Sequence, residues 1–225
     1  MNKTHKNAAL LALKSTVVLA GSLALASCAL KPTSPSAQQV DEATRLAMQS
    51  SFREQGVAKL DRLKLDASNQ ACSDAAGALL DQKLGQSIEA ANLKTVKQPL
   101  DGKYIGNWSE GEKIAQNGRG MTWSDRPGEA NGGSCYNCHQ ISKAELSFGS
   151  IGPSLYNYGK LRGVSDPAAA TSQAVVQYTW GRLWNAKAYK ACSDMPRFGH
   201  AGILSEQQIR DVMALLLDPQ SPVNK

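Results

Sequence analysis

The sequence predicts an all-α fold, on three observations. No segment of any length alternates apolar and polar residues at the two-residue period of a half-buried strand. Ser205 precedes a run in which Ile209, Val212, Met213 and Leu216 form one apolar face, and Gln208 completes a capping box. Ser73 and Ser109 offer two further N-caps ahead of apolar residues at helical spacing.

The first 27 residues read as a secretory signal. Lys3, His5, Lys6 and Lys14 make a basic start without an acid, and Ser15 to Ser27 is apolar with small residues at its end. The apolar run is short for a membrane span. Leu25-Ala26-Ser27-Cys28 resembles a bacterial lipobox, in which cleavage leaves Cys28 as an acylated N-terminus. The alternative is an ordinary signal that happens to contain a cysteine. A diacylated cysteine supplies enough apolar chain for stable anchoring. The expected location is therefore the periplasm, on a lipid anchor. Ala29 is no acidic retention signal, which favours the outer membrane.

Without the signal, 198 of the 225 residues remain, and the loss of three lysines takes the net charge from +6 to +3. That bias is too mild for a nucleic-acid-binding surface. The length suits one domain plus an extension, or two small domains. Residues 28–39, with prolines and small polar side chains, read as a tether.

A helical extension is expected over 40–104 and the main domain over 105–225. The first helix is predicted from about Val40 to Leu60, with Ala43, Leu46, Ala47, Phe52 and Val57 as a loose stripe. The second runs from the Ser73 cap to Leu93. In the main domain Ser109 is expected to cap a short helix. Glu110 and Glu112 suit its positive end, and it stops by Asn117 or Gly118. Residues 121–133, rich in Gly, Pro and Asp, form a loop. The next helix follows Asp166, with Pro167 in its first turn. The last begins at Ser205 and ends at "DPQSPVNK".

The chemistry sits between the loop and these last helices. "GGSCYNCHQIS" places Cys135, Cys138 and His139 within five positions. Two thiols at this spacing add across the two vinyl groups of one haem, and the adjacent histidine becomes the proximal iron ligand. Chance produces the pattern only about 0.0015 times in a chain of this composition. Half of a zinc site is one alternative, but Cys72, Cys192 and His200 are scattered. A redox dithiol is the other, but it wants a βαβ setting that is absent. Haem attachment outside the cytoplasm also agrees with export.

"CSDMPRFGH" supplies the candidate second axial ligand, Met195, with Pro196 stiffening the loop and Phe198 available to the porphyrin edge. A thioether favours ferrous iron. His200 is the rival; Met121 and Met213 are further methionines in less suitable places. A carbonyl near Pro153 is positioned to accept the Nδ1–H of His139, unless "SIGPSLYNYG" is a plain turn. Cys72 and Cys192 remain, and an oxidising compartment favours their pairing over free thiols in a metal or redox site. Trp108, Trp123, Trp180, Trp184 and Tyr158 are candidates to line a haem or simply to fill a core. Arg119, Arg162 and Arg182 are candidates for its propionates or for solvent.

Together these motifs, from about Gly106 to Leu217, resemble a class I cytochrome c. More narrowly, "SIGPSLYNYG", "VVQYTWGRLWN" and "ACSDMPRFGHAGILSEQQIRDVMALLLDPQSPVN" resemble the SoxX family, the monohaem subunits of SoxXA complexes of sulfur-oxidising bacteria. The resemblance implies a class I cytochrome c fold and one covalent haem c. Cys135 and Cys138 would be its anchors, His139 and Met195 its axial ligands, and Pro153 the residue that orients His139. It implies that the chain accepts electrons while thiosulfate is coupled to a cysteine of the carrier SoxYZ. The catalysis would lie on a SoxA-type partner, and the electrons would pass to a small cytochrome. An iron with two protein ligands has no open position for substrate, so a catalytic role for this chain alone is not expected. The long extension, the long 117–134 loop and the lipobox depart from the simplest family picture. A free-standing, membrane-tethered electron carrier is the alternative. An enzyme whose haem sheds Met195 to bind peroxide is a third reading.

Overall fold

The computed structural model describes residues 34–225. The signal segment, Cys28 and the start of the tether lie outside the described residues. Among the described residues there is no sheet, only an isolated bridge between Gln55 and Ala58, and the chain is all-α as predicted. It divides into two compact units, ending at Phe52 and beginning at Arg53.

The first unit contains helix α1, Ala37–Ser51. Ser36 and Gln39 form a capping box at its start, and none of its residues is buried. The expected continuation to Leu60 does not occur. Ser50 and Ser51 are exposed and weak helix formers. Gly56 then turns the backbone with a φ of 54°, closed by reciprocal Gln55–Ala58 hydrogen bonds.

The second unit carries α2 (Ala67–Asp74), α3 (Gln82–Leu93), α4 (Trp108–Gln116), α5 (Gln173–Trp184) and α6 (Glu206–Leu217). The helix expected from Ser73 to Leu93 is two helices. Asp66 caps the first and Asp81 the second, while Ser73 lies inside the last turn of α2. Ala76 and Gly77, with φ of 48° and 85°, break the path between them. In α4 the cap is Asn107, not Ser109: its side-chain oxygen accepts the Ser109 N–H at 2.8 Å. Pro167 falls in a turn ahead of α5 instead of in its first turn. Asp166 organises that turn by accepting from Ala168 N–H (2.8 Å) and, through its carbonyl, from the Ser172 hydroxyl (2.7 Å). The capping box on α6 forms as expected, from Ser205 and Gln208.

Residues 53–104 belong to the same compact unit as the cysteine motif. The reason lies in the polar groups of α5. The Trp180 and Trp184 indoles donate to the Lys97 and Thr95 carbonyls at 2.8 and 3.0 Å. The buried Asn185 amide reaches Asn92 and Thr95. A buried donor without such a partner would cost about 1–3 kcal/mol, so the segment before α4 completes the core.

The core centres on α6, whose Ile209, Val212, Met213, Leu215 and Leu217 are buried with Val176 and Trp180 of α5. At about 1.5–3 kcal/mol per large apolar side chain removed from water, this one helix carries much of the driving force. It crosses α4 at Gly111, where a Cβ would collide with the Asp211 carbonyl and touch Leu215. Only glycine lets the two backbones meet there.

Candidate haem-attachment site

The close α4–α6 crossing fixes the end of α4, and the end of α4 holds the approach to the motif. The Ile114 carbonyl accepts Gly133 N–H at 2.8 Å, and the Asn117 carbonyl accepts Ser134 N–H at 3.0 Å. Ser134 takes a left-handed φ of 51°, and Cys135–Asn137 form a single 3₁₀ turn. The Cys135 carbonyl accepts from both Cys138 (3.1 Å) and His139 (2.9 Å) N–H groups. The three chemically distinctive side chains thus leave one tight turn.

Inside this turn Tyr136 is buried and donates its hydroxyl to Glu112 of α4 at 3.0 Å. Burial, and then the Glu112 charge, push the Tyr136 hydroxyl well above the ordinary tyrosine range. It stays neutral and pins the turn to the helix. Burial likewise pushes the Cys135 thiol up to about 12.

His139 is half-buried, and its Nδ1 lies 2.7 Å from the Pro153 carbonyl oxygen. A carbonyl can only accept, so Nδ1 carries the proton, and in the neutral ring Nε2 keeps its lone pair for a metal. The residues that deliver this carbonyl are tied back to the motif. Gly149 and Gly152 N–H groups donate to the Tyr136 and Cys138 carbonyls, both at 2.8 Å, and Leu155 N–H donates to Gln140 at 2.7 Å. Gly152 lies flat against the imidazole: a Cβ there would run into Cε1, Nδ1 and Nε2. Sequence reasoning missed this glycine, although it stands one residue from Pro153.

Met195 is half-buried and packs on the core cluster that Cys135, Ile114, Leu155 and Ile203 also border. The other candidates are placed elsewhere. Met213 is wholly inside the core of α6, and Met121 is exposed in the loop with a φ of 64°. His200 is exposed, with its N–H on the Trp184 carbonyl at 3.0 Å. Burial, and then Arg197, lower the His200 pKa.

Cys72 and Cys192 form a disulfide with an S–S distance of 2.08 Å. They are therefore not zinc ligands, and among the described residues no three His, Cys, Asp or Glu side chains cluster to hold a metal ion. Phe198 is buried in the core. Most of the remaining aromatic and basic candidates already have protein partners. Tyr158 bonds Thr179 at 2.9 Å and lies under Arg162; Arg182 donates to the Ala186 carbonyl. Trp180 and Trp184 are committed to residues 95–97, Trp108 is half-buried, and Trp123 and Arg119 are exposed. Around the motif the apolar side chains Leu146, Phe148 and Ile151 are exposed.

The donor set fits a covalently attached haem: two sulfurs from one turn, an imidazole oriented through Nδ1, and a thioether on a loop beside the same core. Among the described residues no helix is long and apolar enough to cross a membrane. No family model matches the chain. A protein of Aquifex aeolicus described as an uncharacterized lipoprotein is 30% identical over 222 residues, spanning 95% of this chain and 100% of the relative. The chain belongs to the same family as that lipoprotein.

Proposed function

We propose that this member of the Aquifex lipoprotein's family is a lipid-anchored monohaem cytochrome c of the class I type, the electron-accepting SoxX-like subunit of a thiosulfate-oxidising complex. The observation that carries the haem reading is the 2.7 Å contact between His139 Nδ1 and the Pro153 carbonyl. With the proton held on Nδ1, Nε2 keeps its lone pair for a metal. Those two cysteines would hold the haem, and His139 and Met195 would be its axial ligands.

When bound, haem supplies a one-electron couple. The protein's own residues set its character. The Pro153 carbonyl locks the tautomer of His139 and makes the ring a stronger donor. The soft sulfur of Met195 favours the reduced metal. With His139 and Met195 both holding the metal, substrate would have no place on it, and the chain would relay electrons. The chemistry on thiosulfate falls to a SoxA-type partner acting on SoxYZ, and a small cytochrome takes the electrons onward. Leu146, Phe148 and Ile151 offer an apolar rim that the macrocycle would cover in part. The lipobox at Cys28 and the relative's description as a lipoprotein support an anchor at a membrane facing the periplasm.

The test is expression with the signal intact in a periplasm equipped for haem maturation, followed by haem staining of a denaturing gel. Capture from native membranes then identifies haem-bearing partners. A colourless protein, or one whose metal is zinc, would overturn the haem reading. A haem protein that captures no second haem subunit would instead be a free-standing, tethered carrier.

A further inference from the structure

Met195 lies in a segment with little structure of its own. Between Tyr189 and His200 the backbone runs as turns, held locally by Ser193 N–H on the Lys190 carbonyl (3.0 Å) and Met195 N–H on the Ser193 hydroxyl (3.3 Å). Two short contacts cannot fix a side chain to the tolerance an axial ligand needs. Beyond the core contacts of Met195 and Phe198 and the His200–Trp184 hydrogen bond, further hold comes from more than a hundred residues earlier in the chain. Glu89 of α3 accepts the Ala191 N–H at 3.1 Å. Cys72, near the end of α2, is bonded to Cys192 with a Cα–Cα distance of 5.5 Å. Asp66, the cap of α2, pairs with Arg197 at 2.5 Å, and the Arg197 side chain is only 16% exposed. The anchor points at 191, 192 and 197 therefore bracket Met195 on both sides.

We infer that α2 and α3 form a splint for the Met195 loop, with Asp66, Cys72 and Glu89 as positioning residues that hold the sulfur donor in place. The two ends of the eight-residue α2 grip the loop on either side of the methionine, one through an ion pair and one through a covalent bond. A segment that reads in sequence as a featureless extension thereby becomes part of the ligand's support. The axial role of Met195 rests on the haem reading above, whereas the bracing of the loop does not.

The experiment compares wild-type protein, matured with its haem, with Asp66→Asn, with the Cys72→Ala/Cys192→Ala pair, and with all three changes together. Asparagine keeps the cap of α2 and removes only the charge pair. Two readouts are taken: amide hydrogen exchange by residue, and the sulfur-to-iron charge-transfer band with imidazole titration of the oxidised protein. In the triple variant the amides of 193–199 are expected to exchange at least about tenfold faster, while those of α4 and α6 do not change. The band weakens, imidazole binds, and each smaller set of changes gives a smaller effect. Unchanged exchange at 193–199, or acceleration spread evenly over the whole unit, overturns the splint. Faster exchange with an unaltered band and no imidazole binding overturns the positioning of Met195. A wild-type protein without haem overturns the cytochrome reading alone, and the exchange data still decide the bracing. If the cysteine variants fail to fold, folded wild type and folded Asp66→Asn are treated with dithiothreitol, the freed thiols are alkylated, the iron is reoxidised with ferricyanide, and the same readouts decide.

Discussion

Gly152→Ala is the sharpest probe of the site. Gly152 does not sit at a positive φ, so alanine is permitted by the backbone, and the effect must come from space alone. The new methyl would run into the His139 imidazole, whose Nε2 lies 2.7 Å from the ideal Cβ and whose Nδ1 and Cε1 lie closer. The neighbour is a half-buried ring held by a hydrogen bond, so relief requires either ring rotation or a shift of the 149–155 backbone. Overpacking of this kind costs about 1–3 kcal/mol. Rotation also breaks the Nδ1–H bond to Pro153, a further ~0.5–1.5 kcal/mol. The stiffer unfolded chain returns about 0.4–1 kcal/mol. The net is a loss of about 2 kcal/mol, read as a shift of the denaturant midpoint at constant slope. Nitrogen chemical shifts of His139 should move together with it, and a haem-loaded sample should show an altered proximal ligand field. Gly163→Ala is the control: its φ of 70° strains alanine, yet nothing lies within 4 Å, so stability falls while His139 is untouched. Gly152→Ala with wild-type stability and an unmoved His139 spectrum would refute the argument.

Other outcomes follow from the same geometry. In the haem-bearing protein proposed above, Met195→Ala should let small ligands reach the iron and lower the reduction potential; unchanged spectra and potential would remove Met195 from the ligand set. Replacing both Cys72 and Cys192 by alanine opens a link across 120 residues and should cost up to about 4–5 kcal/mol by chain entropy, checked by thermal and denaturant unfolding. Burial tends to raise the Asp66 pKa, but the Asn69 N–H and Arg197 outweigh it and hold the carboxyl below its usual value. A depressed folded pKa adds stability above the unfolded value of about 3.9 that is lost as the pH falls through the folded one. Wild type should therefore lose more stability than Asp66→Asn on acidification below about pH 4. Equal losses in the two proteins would contradict this.

Much of this was legible in the sequence because it is local. The capping box of α6, its apolar face and the five-residue cysteine–histidine motif are short-range signals, and each appears where its spacing puts it. The helix boundaries before residue 100 were less legible. Asp66 and Asp81 compete with several serines as caps, and a non-glycine residue, Ala76, takes a left-handed turn that no propensity announces. The bracing of the Met195 loop was legible only in part. Two leftover cysteines in an oxidising compartment point to each other. The Asp66–Arg197 pair joins residues 131 positions apart and leaves no periodic trace. Gly152 was invisible for another reason: its importance is the absence of a side chain against a ring.

The α4–α6 crossing bears on how the protein is made. The helix that fills the middle of the molecule is encoded in the last twenty residues, and it meets its partner at a glycine nearly a hundred positions upstream. A chain in which α6 has not yet formed therefore has no interior to close around. The turn bearing Cys135 and Cys138, held by the end of α4, gains its backing only when α6 packs.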